Sequence, residues 1–71
     1  MTDERLLRLV RKRIQEIRRA KHLTQEDMMK YNFERRYYQR IEAGHKNLSL
    51  RVLNRLARAL GVDIIEFFRF T

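Results

Sequence analysis

The run Leu23-Thr24-Gln25-Glu26-Asp27-Met28-Met29-Lys30-Tyr31-Asn32-Phe33-Glu34-Arg35-Arg36-Tyr37-Tyr38-Gln39-Arg40-Ile41-Glu42-Ala43-Gly44 decides the fold. Thr24 stands where a helix N-cap belongs, and Asp27 follows at capping-box spacing. This predicts a brief helix from Gln25 to about Tyr31, with Met28 as its core contact. Asn32 marks a turn, because asparagine tolerates the left-handed conformation better than most non-glycine residues. A longer helix is predicted from Glu34, as cap, to Ala43, and Gly44 ends it as a C′ residue. Its pattern turns Tyr38 and Ile41 inward beside Phe33. Arg35, Arg36, Gln39 and Arg40 then face outward.

On the amino-terminal side, Leu6, Leu7, Val10, Ile14 and Ile17 recur at spacings of three and four. That places them on one face of a helix from about Asp3 to Lys21. Thr2 or Asp3 caps its start, and Arg18, Arg19 and Lys21 suit the negative end of its dipole. His22-Leu23 is a short break. On the carboxyl-terminal side, His45-Lys46-Asn47-Leu48 reads as a loop. Ser49 caps a helix from Leu50 to Leu60, whose buried face is Val52, Leu53, Leu56, Ala57 and Leu60. Gly61 stops it. Asp63 and Glu66 form a capping pair for a last short helix through Ile64, Ile65, Phe67 and Phe68. With no proline and only two glycines in 71 residues, the chain reads as all-α: five helices joined by short connectors.

The bulk composition sets limits. A chain of 71 residues forms one domain (1–71). The absence of cysteine excludes disulfides and a cysteine-ligated zinc site. The acidic start Met1-Thr2-Asp3-Glu4 and the lack of a long apolar run predict no secretion signal and no membrane span, hence a cytoplasmic protein. Seventeen Lys and Arg against nine Asp and Glu give a net charge of +8, which attracts polyanions: DNA, RNA or anionic membrane. Arginine outnumbers lysine, which favours planar recognition of phosphates and guanine edges.

The stretch from Leu23 to Gly44 resembles the helix-turn-helix of the Cro/C1-type repressors, also called the xenobiotic-response-element family. Asn47-Leu48-Ser49-Leu50, Ala59-Leu60-Gly61-Val62 and Glu66-Phe67-Phe68 resemble the family's later segments. The ordered combination of Thr-Gln-Glu, Arg-Ile-Glu-x-Gly and Ala-Leu-Gly-Val carries the resemblance, from about Val10 to Phe68. It implies a compact five-helix, lambda-repressor-like domain with its helix-turn-helix at about 24–43, binding double-stranded DNA. Arg35, Arg36, Gln39 and Arg40 are then the base-contacting residues. Gln25, Tyr37, Lys46 and Asn47 contact the backbone. Arg18 and Glu42 form a structural ion pair. Ile65 and Phe70 are free to meet a second subunit in a homodimer. Two features depart from the family: the span from Gln25 to Asn32 is one residue short, and Met29 stands where alanine is usual at the helix crossing.

The remaining chemistry points away from catalysis. His22 and His45 are far apart and have no cysteine partners, so no metal site is expected. Ser49 reads as a cap, not a nucleophile. Asp3, Asp27, Glu34, Asp63 and Glu66 all have positions suited to capping. There is no glycine-rich phosphate loop, and so small a core leaves little room for a substrate pocket. The sequence therefore implies no enzyme, no cofactor and no small-molecule ligand. It leaves two function classes open: a sequence-specific regulator, bacterial or phage and nucleoid-associated, similar to the phage repressors but with activation and repression not distinguished by the residues; or a protein-interaction adaptor or co-activator on the same fold with weak or non-specific DNA binding. A membrane-surface role for the first helix is opposed by the need of its apolar stripe for the core.

Overall fold

The computed structural model describes residues 2–70. In chain order the elements are α1 (Asp3–Ala20), a first 3-10 helix (Glu26–Tyr31), α2 (Arg35–Ala43), α3 (Leu50–Leu60) and a second 3-10 helix (Ile64–Phe68). α1 packs against α2 and the second 3-10 helix, α2 against the first 3-10 helix, and α3 against the second. Val10, Ile14, Ile17, Met28, Phe33, Tyr38, Ile41, Leu53, Leu56, Ala57, Leu60 and Phe67 form the core.

Short polar side chains set the starts. Thr2 accepts from the Arg5 amide, Ser49 from Val52 and Asp63 from Ile65. Thr24 and Asp27 form the full reciprocal box: the Asp27 amide donates to Thr24 Oγ1 at 3.1 Å and the Thr24 amide to Asp27 Oδ2 at 2.7 Å. The bond from the Thr24 backbone holds the Asp27 carboxyl below the usual carboxylate range. Glu34 occupies the N-cap position of α2 in extended conformation, but its side chain makes no cap bond. Glutamate is too long to fold back well onto the first turn, where serine and aspartate succeed. Glu66 is not a capping partner either. Its carboxylate meets Arg69 Nε at 2.9 Å and Arg13 Nη2 at 3.5 Å. Charge-assisted bonds to a guanidinium outcompete a neutral amide.

All three α-helices end in a Schellman arrangement. His45 N donates to Arg40 O and Gly44 N to Ile41 O; Val62 N donates to Ala57 O and Gly61 N to Arg58 O. α1 repeats the pattern through Leu23 N to Arg18 O and His22 N to Arg19 O, but with His22 at φ 59° in the left-handed position. A Cβ there costs up to about 1 kcal/mol relative to glycine. His22→Gly is therefore expected to raise Tm by up to about 4–8 °C in a thermal melt. A lower Tm would show that the imidazole has compensating contacts.

Three further details differ from expectation. Leu6 is exposed, because the first turns of α1 reach beyond the core, which begins at Val10. Val52 is half-buried at the core's edge. The segment after Thr24 is a 3-10 helix rather than an α-helix. A 3-10 helix rises about 2.0 Å per residue against about 1.5 Å, so its six residues span about 12 Å, slightly more than seven would in an α-helix. The tighter winding also sends Met28 fully inside and leaves Met29 52% exposed. Met29 therefore does not obstruct the packing of α2.

Tyr38 fills the centre, edge-on to Phe33 with ring centroids 5.7 Å apart. Its hydroxyl is buried and, among the described residues, has no hydrogen-bond partner. Burial, then the nearby Glu42 carboxylate, push the phenol's pKa well above its ordinary value, so it stays neutral. A buried unsatisfied hydroxyl costs about 1–3 kcal/mol. Tyr38→Phe is expected to leave stability unchanged or to raise it by about 1 kcal/mol in urea unfolding. A clear loss would show that the hydroxyl is bonded in solution.

Candidate nucleic-acid interface

α2 is built with two faces. Tyr38, Ile41 and Glu42 are buried, while Arg35, Arg36, Gln39 and Arg40 are exposed. Its nine residues make it about 13 Å long at 1.5 Å per residue, and an α-helix, about 10–12 Å across with its side chains, fits a major groove about 12 Å wide. Asn32, at φ 67°, turns the chain sharply from the first 3-10 helix so that α2 sets off in a new direction.

Arg36 and Arg40 line a shallow concavity with Glu34, Tyr37 and Lys46. Lys46 Nζ lies 5.8 Å from the centroid of the Tyr37 ring, within reach of a cation–π contact. The loop after Gly44 thus folds back beside α2, and three cations gather around one half-buried aromatic ring. Asn47 is exposed next to them. Gly44, at φ 89°, makes this return possible, and Arg11 packs where its Cβ would stand, 3.2 Å away. Arg35 sits apart from this group. Its Nη2 pairs with Glu26 at 3.1 Å across the turn, both side chains being more than half exposed. An exposed pair of this kind is worth little and opens readily.

Behind the exposed face lies a polar hub. Arg18 and Glu42 are only 6% and 7% exposed. Arg18 Nε donates to Glu42 Oε2 at 2.7 Å and Nη2 to Oε1 at 3.1 Å, a two-pronged pairing. Arg18 Nη1 also donates to Leu23 O at 2.7 Å. Gln25 Nε2 donates to Glu42 Oε1 at 2.9 Å, so this side chain is turned toward the hub. Four bonds thereby tie α1, the break after it, the start of the first 3-10 helix and the end of α2 to one another. The Glu42 carboxylate, foremost by hydrogen bonding, raises Arg18 further above its ordinary value. Burial pushes the Glu42 carboxyl up, but the bonds from Arg18 foremost outweigh it and hold the group below the usual carboxylate range. The sequence implied the Arg18–Glu42 pair; the parts of Leu23 and Gln25 emerge only in three dimensions.

Elsewhere, Ile65 is 54% and Phe68 41% exposed. Phe67 closes the core, and Phe70 is half-buried, edge-on to Phe68 at 6.4 Å. Among the described residues no group of three or more His, Asp or Glu is placed to hold a metal ion. No described helix is long and apolar enough to cross a membrane.

A family model described as helix-turn-helix matches residues 14–67. No curated protein and no solved structure matches the chain. The matched span runs from the middle of α1 to the buried Phe67, and so contains the hub, the turn at Asn32, α2 and α3. With an all-helical fold and a match over most of its length, the chain belongs to the Cro/C1-type helix-turn-helix family of DNA-binding domains, a family of regulators and not of enzymes.

Proposed function

We propose that this chain is a sequence-specific transcription regulator, acting as a single DNA-binding unit and paired as a homodimer on an operator with two related half-sites. It acts as a repressor in the cytoplasm of a bacterium or for a phage, on nucleoid DNA. The carrying observation is the gathering of Arg36, Arg40 and Lys46 around Tyr37, on a helix whose opposite face is locked into the core. Arg35, Arg36 and Arg40 read base edges, an arginine fork matching guanine O6 and N7, while Gln39 matches adenine. Tyr37, Lys46 and Asn47 hold the backbone. Gln25 contributes from the start of the preceding helix, where backbone amides meet a phosphate and its side chain is steadied by Glu42.

The dimer reading is supported by Ile65 and Phe68, two large apolar side chains left half-exposed on the last helix, with the half-buried Phe70 edge-on to Phe68. A two-fold pair presents its α2 helices about 34–36 Å apart, one DNA turn. Selection of bound fragments from random duplex, followed by sequencing, tests the whole reading. It is expected to return a paired motif, and sedimentation equilibrium is expected to show a dimer. Failure to enrich any motif would favour the adaptor reading, and a monomer even with the selected operator present would defeat the dimer.

Lys46 supplies a narrower prediction. As a phosphate contact it carries no sequence information. Lys46→Ala is expected to weaken selected and scrambled duplexes alike and to lower the salt slope by roughly one per site. Titrations across a salt series check this. A change in motif with an unchanged slope would reassign Lys46 to base reading.

A further inference from the structure

The end of the first 3-10 helix and α3 enclose an open groove lined by Lys30, Tyr31, Asn32, Arg55, Arg58 and Ala59. It shares no lining residue with the concavity around Tyr37. Three cations line it and no carboxylate does. Lys30 keeps a loose pair with Asp27 at 3.7 Å, and among the described residues neither Arg55 nor Arg58 has an acidic partner.

Arg55 is held in place although it is exposed. Its Nη2 donates to Asn32 O at 2.9 Å, and its guanidinium lies 4.5 Å from the centroid of the Phe33 ring. The ordering cost of a long side chain is therefore largely met before any ligand arrives. Most donors of its fork stay unused. Arg58 stands one turn further along α3, on the same side of the helix. Tyr31, 42% exposed, adds an aromatic surface with a polar tip to the same groove.

These features select among anions. A groove this open leaves a small anion mostly hydrated, so a free phosphate gains little from it. A duplex presents phosphates outward and bases inward; its phosphates would use the arginines and the Tyr31 hydroxyl but leave the apolar face of the ring and Ala59 without a partner. A peptide bearing several carboxylates and an apolar side chain uses every part: bidentate pairing with the arginines and apolar contact with the ring. We propose that the groove docks an acidic, amphipathic segment of a partner protein, leaving the α2 face free for DNA.

The test is fluorescence anisotropy with the full chain and a labelled synthetic peptide of glutamate pairs and leucine at helical spacing. Micromolar binding is expected. Arg55→Gln with Arg58→Gln is expected to weaken it at least about tenfold. Arg36→Ala with Arg40→Ala is expected to leave it unchanged. Arg55→Lys keeps the charge but loses the fork and the stack, so it is also expected to lose affinity. That single variant decides the matter if thermal melts show the glutamine pair unfolded. The proposal is overturned if the peptide does not bind, if the Arg36 and Arg40 changes weaken it equally, or if Arg55→Lys binds it as well as the parent chain. It is equally overturned if the Arg55 and Arg58 changes weaken only duplex DNA or inorganic phosphate. None of these outcomes depends on the operator reading, which the fragment selection tests separately.

Discussion

Glu42→Ala is expected to destabilise the fold by about 3–5 kcal/mol. The loss arises less from the missing pair than from what survives it: a guanidinium buried at 6% exposure with no anion beside it. A domain of this size has a total stability of only about 4–10 kcal/mol, so the variant lies close to unfolding. Arg18→Ala is expected to cost a similar amount, because it strands the carboxylate and also the Leu23 carbonyl. Removing both charges is expected to cost less than the two single changes added together. Urea unfolding of the four species checks this, and strict additivity would dissolve the hub as a unit.

The same pair sets a pH dependence. Glu42 has a folded pKa below its unfolded value of about 4.3. Its contribution is thus complete above that pH and is lost as pH falls through the lower folded value. Acid unfolding of the parent chain is expected in that window. Glu42→Gln, where it folds, is expected to show a flatter acid limb.

Arg36→Ala and Arg40→Ala are each expected to weaken a selected operator by roughly 1–3 kcal/mol, about 5- to 150-fold, and to relax preference at particular base pairs. Scrambled duplex is expected to lose far less, about one phosphate's share. Arg36→Lys keeps the charge but not the fork, and is expected to leave discrimination impaired. Arg35→Ala is expected to cost a similar amount, because its exposed pair with Glu26 opens readily. Titrations of each variant against both duplexes across a salt series decide. Equal losses on both would make α2 an electrostatic surface and end the sequence-specific reading.

Much of this could be read from the chain because local chemistry fixes it. Thr24 with Asp27, Ser49, Asp63, Gly44 and Gly61 act within a few residues of themselves, and the structure places caps and stops at those positions. Sequence reasoning failed where a local capacity met a distant competitor. Glu66 is able to cap but faces Arg13 from α1. The bond from Gln25 to Glu42 was equally illegible, since the carboxylate that receives it comes from the end of α2. The winding of Glu26–Tyr31 was illegible for another reason: over six residues, periods of 3.0 and 3.6 barely diverge. Arg55 gave no sign, since the ring and carbonyl that hold it belong to the far side of the turn.

α2 carries two vocabularies on one rod. Tyr38, Ile41 and Glu42 anchor it, while among the described residues the exposed Arg35, Arg36, Gln39 and Arg40 side chains make no hydrogen bond or ion pair beyond the weak Glu26 pair. Stability and address are therefore separable. Under the proposed reading, exchanging the four outward positions as a cassette is expected to change which operator is chosen while the melting temperature barely moves. A lineage of such proteins is free to drift from one target to another without passing through an unfolded ancestor.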